Sequence, residues 1–448
     1  MSAPTAPALR DESGVGSAGR YVLALLTLVM VFNYIDRIVM AVLAEPIKLH
    51  FGISDFQIGL LGGPAFAFVY STLSIPIATL ADRKNRATII AVTVATWSLF
   101  TTLCGFTTQY WQLLVARIGT GVGEAGCTPA AMSLLADVFP PERRATALAV
   151  FALGAPIGTF IAAVTGGWIA QTADWHLVFV ALGVPGILLA IVIRKTLPER
   201  PRPHGAGVAR VSFGGALRAL MGKPAFVHLI AASMIGGAAM LAFVQFLNAY
   251  LSRVRGLPPL QSSLCFGILA GIGIGIGTFL GGFVPDKLGR RYPNALALVG
   301  AAGFLFCAPM FWLGLRAGSV PMLMLAMFPA SIGLGAFIPV ICASAQAMSP
   351  PSTRATAVAL TLFACQFFGG VLGPPLLGLL SDTLSSSAYA GRAAYHVACS
   401  HPSAVVDACT LARRHGLELA LEIWSVGFIW SGIHFLFAAR TLSRDRVD

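Results

Sequence analysis

Four ionisable side chains stand inside otherwise apolar stretches of the chain: Asp36 and Arg37 near its start, then Arg117 and Glu124. A charge at the centre of a lipid-facing helix costs at least about 2.5 to 3.5 kcal/mol, so such groups face protein or water and pair. Arg117 and Glu124 are about two helical turns apart and share a face, while Gly119, Gly121 and Gly123 between them and Gly126 just beyond remove side-chain bulk. Two carboxylates and two guanidiniums so spaced suit one chemistry. Asp36 and Glu124 take up and release protons while Arg37 and Arg117 change partners, and a released guanidinium grips a phosphate or carboxylate bidentately. The competing reading is a permanent Asp–Arg bridge that only fixes helix packing.

The elements that position these groups follow from composition. Of 448 residues, 56% are hydrophobic and 11% charged, less than half the charged fraction of an average soluble domain. The bilayer is therefore the solvent, and unbroken apolar runs rich in Gly, Ala and Leu exclude a transmembrane barrel. Apolar stretches predict helices at roughly 21–46, 54–80, 87–108, 110–138, 145–171 and 175–195, then at roughly 224–252, 258–284, 292–314, 319–348, 355–383 and 417–440. The expectation is an all-α membrane protein of twelve transmembrane helices in two six-helix bundles. Its divisions are a tail 1–20, a first bundle 21–195, a linker 196–223, a second bundle 224–440 with an outer loop 384–416, and a tail 441–448. Phe213, Leu217 and Leu220 with Arg210 and Arg218 suggest a short amphipathic helix in the linker.

The net charge of +12 fits topology better than nucleic acid, because no arginine-rich strip with interleaved aromatics occurs. Basic residues concentrate on the side of the termini, in Arg83, Lys84, Arg86, Arg143, Arg144, Lys287, Arg290, Arg291 and Arg354 and through the linker, which makes both termini cytoplasmic. With Asp36 and Arg117 each roughly 10 to 12 Å from the outer ends of helices 1 and 4, the two are expected to meet.

Repetition supports two related halves. Pro140-Pro141-Glu142-Arg143-Arg144-Ala145-Thr146-Ala147 recurs as Pro350-Pro351-Ser352-Thr353-Arg354-Ala355-Thr356-Ala357, each time between the fourth and fifth helix of its half. After the second helix of each half comes an acid and a basic turn, Asp82-Arg83-Lys84-Asn85-Arg86 and Asp286-Lys287-Leu288-Gly289-Arg290-Arg291. Asp82 and Asp286 are expected to accept hydrogen bonds from the first turns of helices 11 and 5, with Arg83, Arg86, Asp137, Arg144, Arg290 and Arg354 exchanging partners as this cytoplasmic gate opens.

These two halves with acidic–basic loops resemble the major facilitator superfamily of secondary transporters over residues 20–440. Asn33-Tyr34-Ile35-Asp36-Arg37, Arg117-Ile118-Gly119-Thr120-Gly121-Val122-Gly123-Glu124-Ala125, Asp137-Val138-Phe139-Pro140, Trp97-Ser98 and Gly183-Val184-Pro185-Gly186 resemble its spinster branch, and the chain reads as a bacterial homologue. Members of that branch export sphingosine-1-phosphate or lysophospholipids in animals, so the resemblance implies an amphiphilic, lipid-like substrate. Asn33 and Tyr34 then join Arg37 and Arg117 as substrate and charge-exchange residues. Gly154-Ala155-Pro156-Ile157-Gly158 resembles the superfamily's antiporter motif and favours exchange or export.

The second half offers Gln245, Asn248, Gln346, Gln366 and His434 but no embedded acid, with Phe243, Phe246, Phe337, Phe363 and Phe367 available as an apolar wall for an acyl chain. Phe243, Gln245, Phe337 and Gln366 are its cavity candidates, although ordinary core is the competing reading for the phenylalanines. Cys399 and Cys409 lie in the outer loop and are expected to pair, the alternative being a metal site with His396, His401 and His415. No Walker loop, zinc-protease motif or serine elbow occurs, so no enzyme, metal or cofactor is expected and the proton is the coupling ion. The overall expectation is a monomeric, proton-coupled lipid transporter in a bacterial inner membrane. Multidrug or organic-anion efflux and uncoupled lipid scrambling remain the alternatives.

Overall fold

The computed structural model describes residues 16–83, 85–198, 213–289, 291–292, 294–350, 353–391, 395–399 and 407–446. Helix 1 spans Ser17–Val42; helix 2 is Asp55–Gly62 followed by Pro64–Arg83; helix 3 is Arg86–Cys104. Helix 4 comprises Tyr110–Glu124 and Cys127–Val138, helix 5 Pro141–Ala152 and Gly154–Thr172, and helix 6 Trp175–Thr196. In the second half, helices 7 and 8 run Pro224–Arg253 and Pro259–Gly289, helices 9 and 10 Ala295–Leu315 and Val320–Ala347, and helices 11 and 12 Arg354–Ala388 and Asp407–Asp445. No strand occurs among the described residues. Among the described residues, eleven spans are long and apolar enough to cross a bilayer as continuous units. Helix 4 is the twelfth, divided by a turn at Ala125–Gly126 immediately after Glu124.

Local sequence explains the ends. Ser54 and Gln57 form a capping box that starts helix 2, Asn85 caps helix 3 and Asp174 caps helix 6. The backbone N–H of His176 holds the Asp174 carboxyl below its ordinary range. Helices 8 and 11 each contain a π-helical stretch, Gly267–Gly273 and Ala364–Phe368, and both meet the first half there. The linker contains the expected short helix, Phe213–Met221, with Ala216 and Leu220 buried.

Helix 12 begins at Asp407, well before the apolar run near 417, and helix 11 continues to Ala388. Residues 407–416 are polar enough to read as loop, yet Cys409, Ala412 and Gly416 make a buried stripe at helical spacing, and this segment packs closely on helix 11. Cys399 and Cys409 are joined in a disulfide. The side chains of His396 and His401 lie outside the described residues.

Most of the contact between halves lies on the face remote from the termini, the distal face. There helix 2 packs on helix 11, helix 5 on helix 8 and helix 1 on helix 7. The closest approach requires glycine: a methyl group at Gly378 would lie 2.2 Å from the Asp55 carbonyl oxygen, and one at Gly59 would lie 2.4 Å from that of Pro374. On the opposite face, Pro141–Ala152 packs on helices 1, 4 and 5 of its own half, and Arg354–Phe363 packs within the second half and on the linker helix. Among the described residues, the main contacts between the halves are therefore distal, not at the terminal face.

Candidate functional site

Asp36 and Arg37 occupy adjacent positions near the middle of helix 1 and point to neighbouring partners. Arg117 donates from Nη1 to Asp36 Oδ2 at 3.4 Å, and Thr101 of helix 3 donates its hydroxyl to Asp36 Oδ1. Arg37 donates from Nε to Glu124 Oε2 at 2.7 Å, and Asn33 Nδ2 donates to the same oxygen at 2.8 Å. The first half therefore holds all four embedded charges and Asn33 in one cluster. Glu124 and Arg117 are 0% and 1% exposed, whereas the Arg37 side chain is 16% exposed and carries no second carboxylate.

Why the cluster forms is visible locally. Helix 4 is stripped of bulk around Gly121 and Gly123, so Phe66 of helix 2 and Trp97 of helix 3 approach its backbone. Its break after Glu124 leaves that carboxylate at the end of a helical segment, as in discontinuous membrane helices that bind ions and substrates. Glu124 Oε1, Asn33 Oδ1 and Arg117 Nε are buried with no protein hydrogen-bond partner. Such groups are costly to leave unmatched and provide sites for a proton or a polar ligand. Tyr34 and two residues unmarked in the sequence, Phe66 and Tyr70, surround the Arg37 guanidinium at 5.6, 4.9 and 4.5 Å from ring centroid to carbon Cζ.

A second charge cluster, also unforeseen, closes the distal face. Lys48 donates to Asp55 at 2.6 Å, and Arg253 of helix 7 grips Asp55 through Nη1 at 2.7 Å and Nη2 at 2.8 Å. Arg253 also donates to Glu45 from Nε and Nη2, at 2.9 and 2.6 Å, and Ser381 of helix 11 donates to Asp55 at 2.7 Å. Asp382 of helix 11 accepts the backbone N–H groups of Asp55 and Phe56, at 3.0 and 2.8 Å, so one half caps a helix of the other. Asn248 of helix 7 adds a bond to the Val42 carbonyl at 2.7 Å. None of Lys48, Asp55, Arg253 and Asp382 is among the candidate residues of the sequence; Asp382 is a buried acid of the second half, near the distal end of helix 11.

Among the described residues, the terminal-face charges bond within their own halves. Arg86 pairs with Asp137 within the first half and also donates to the Ser133 carbonyl and hydroxyl oxygens at 3.3 Å. Asp286 and Arg354 are exposed; Arg354 donates to the nearby Ser349 carbonyl at 3.3 Å, and Asp286 makes no hydrogen bond or ion pair among the described residues. Arg144 Nε is buried and unpartnered. Arg290 and the side chains of Asp82 and Arg83 lie outside the described residues.

Phe243 and Phe337 are not cavity walls. Both are at most 1% exposed, within an aromatic core that includes Phe304, Phe311, Phe428 and Phe435, so apolar packing has claimed the rings offered to an acyl chain. Gln245 does face the other half: its amide lies against Gly62, with Nε2 buried and unpartnered. Gln366 is partly buried in the π-helical stretch of helix 11. Gln346 is exposed on helix 10, and His434 contacts His228 at 3.1 Å.

Comparison with known proteins follows this geometry. The model of the Major Facilitator Superfamily matches residues 26–374. An MFS-type efflux pump of Mycolicibacterium smegmatis is 34% identical over 396 residues, which span 86% of this chain and 90% of that protein. Protein spinster homolog 1 of Homo sapiens is 29% identical over 412 residues, 84% of this chain and 77% of that one. A bacterial homolog to the human lysosomal transporter spinster, crystallised in an inward-facing and unoccupied conformation, matches with a TM-score of 0.88 and 30% identity, covering 97% of this chain and 100% of that chain. Its inward-facing and occupied form matches with a TM-score of 0.85. Fold, repeat and sequence agree: the chain belongs to the major facilitator superfamily of transporters, in its spinster-like branch.

Proposed function

We propose that this transporter couples proton movement to transport of an amphiphilic, lipid-like anion of the lysophospholipid or sphingosine-1-phosphate type. The observation that carries the reading is the Asp36–Arg117 and Arg37–Glu124 cluster, buried in one half while the main contacts between the halves are distal. In this reading the termini are cytoplasmic, the membrane is a bacterial inner membrane, and the chain works as a monomer facing inward.

The chemistry proceeds by exchange of partners. A proton reaching Glu124 neutralises the acceptor of Arg37 and leaves the guanidinium free for a phosphate or carboxylate headgroup, which it can hold through two parallel hydrogen bonds. Protonating Asp36 does the same for Arg117. Asn33 and Tyr34 border the headgroup, and Gln245 and Gln366 offer amides from the second half. Bound anion and bound proton then favour each other, which couples the two binding equilibria. No cofactor takes part, and the proton is the coupling ion.

Likeness to the mycobacterial efflux pump, at 34% identity, favours a second reading, extrusion of organic anions or drugs through the same site. One reconstitution separates them. Proteoliposomes enclosing a pH-sensitive dye receive lysophosphatidic acid, sphingosine-1-phosphate or a cationic drug under an imposed proton gradient. The expected outcome is proton movement that depends on the lipid anions and is abolished in Glu124→Gln. A response to the drug alone gives the efflux reading. Lipid movement that is equal in both proteins and indifferent to the gradient sinks proton coupling and leaves an uncoupled facilitator or scramblase.

A further inference from the structure

Charge exchange has a cost that the ion pairs themselves do not cover: once a carboxylate is protonated, its arginine remains a buried cation without a counter-charge. The structure supplies an alternative partner in helix 2. Phe66 and Tyr70, one turn apart, stack with centroids 5.3 Å apart and planes 19° from parallel. The Arg37 guanidinium carbon lies 4.5 Å from the Tyr70 centroid and 4.9 Å from that of Phe66, and Arg117 lies 5.8 Å from Phe66. The Phe66 ring therefore lies within about 6 Å of both arginines of the cluster. Phe66 is buried and the backbone around it touches helix 4 at Gly121, where a methyl group would meet the Phe66 carbonyl oxygen at 2.9 Å.

We propose that Phe66 and Tyr70 are positioning residues for charge exchange, holding the two guanidiniums on an aromatic face while their carboxylates are protonated. The inference rests on the proton-coupled reading above. A ring face is electron-rich, so it attracts the cation and repels the carboxylate beside it. Neutralising the carboxylate removes the repulsion and keeps the attraction, and the rings thus favour the protonated, unpaired state. The other titratable or charged groups around Arg37 are Asp36, Glu124 and Arg117, the hydroxyls of Tyr34 and Tyr70, Cys127 of helix 4 and, through Tyr34, Cys365 of helix 11. Helix 2 also links this face to the distal closure, since its segment Asp55–Gly62 is tied to the second half while Pro64–Arg83 carries both rings.

The test is an infrared titration of the purified protein, following the protonated-carboxyl band that Glu124→Gln removes. Phe66→Leu and Tyr70→Leu each keep apolar bulk but lose the ring. Their protonation midpoints are expected to move to lower pH by roughly 0.5 to 1 unit, because the ionised carboxylate no longer meets the repulsion of the ring face. Tyr70→Phe retains the face and removes only the hydroxyl that interacts with Arg37, so its midpoint is expected to move less than that of Tyr70→Leu. Binding of lysophosphatidic acid at a fixed pH above the midpoint should weaken in parallel, by roughly three- to tenfold. Monodisperse leucine variants with an unmoved or raised midpoint overturn the inference and leave the transport reading intact. A wild-type protein with no titrating Glu124 band overturns both.

Discussion

Asp36 and Arg117 meet because each sits at a similar depth in antiparallel helices, and that was legible from counting residues along two apolar runs. Removing one partner should be far worse than removing both. Arg117→Met leaves Asp36, 3% exposed, with the Thr101 hydroxyl and the neighbouring Glu124 carboxyl but no cation of its own, and is expected to destabilise the protein by about 3 to 5 kcal/mol. The double variant Arg117→Met with Asp36→Asn should recover most of that loss in a thermal melt in detergent. A double variant as unstable as the single one would mean that Arg117 acts through packing and not through charge. Phe66 and Tyr70 were illegible by the same counting, because an aromatic residue in an apolar helix looks the same whether it faces lipid, core or a guanidinium. Phe243 and Phe337 show the reverse error: available rings in the sequence, closed core in the fold.

Helix ends were read less well than helix cores, and the reason lies in packing between distant segments. The start of helix 12 at Asp407 depends on a buried stripe against helix 11 that a polar ten-residue stretch conceals. Likewise, the glycines of helices 2 and 11 carry no side chain to announce a role in the sequence, and in the fold they mark contact between halves. Gly378 opposes the Asp55 carbonyl, with no space for a side chain. Gly378→Val should therefore push helix 11 off helix 2 and open the distal face without touching any charge. A cysteine introduced in the distal interface should become at least several-fold more reactive to a membrane-impermeant thiol reagent in this variant. Unchanged labelling would show that the two helices separate elsewhere during the cycle, and that this contact is incidental to closure.

At the scale of the molecule, two halves that rock against each other need an interface that is stable in one state and separable in the other. The distal cluster has that character. Its Asp55, Lys48 and Arg253 are no more than 8% exposed, yet they come from both halves, so opening the distal face returns their charges to water while breaking well-formed hydrogen bonds. Charge burial and pairing nearly offset, which keeps such a closure from being irreversible. Asp382 tips the balance because it also caps the start of helix 2 through two backbone N–H groups. Asp382→Ala deletes both bonds and leaves that helix start to Ser54 alone, a loss of about 1 to 3 kcal/mol. The population of distal-open molecules should rise by about fivefold or more, read as a longer component in spin-label distances between distal ends of helices 1 and 7. Arg253→Met should do the same more strongly, since it strands Asp55 and Glu45 beside a single lysine. If both variants keep the wild-type distance distribution, closure is set by apolar contact between helices 2 and 11, and the buried charges only fix its register.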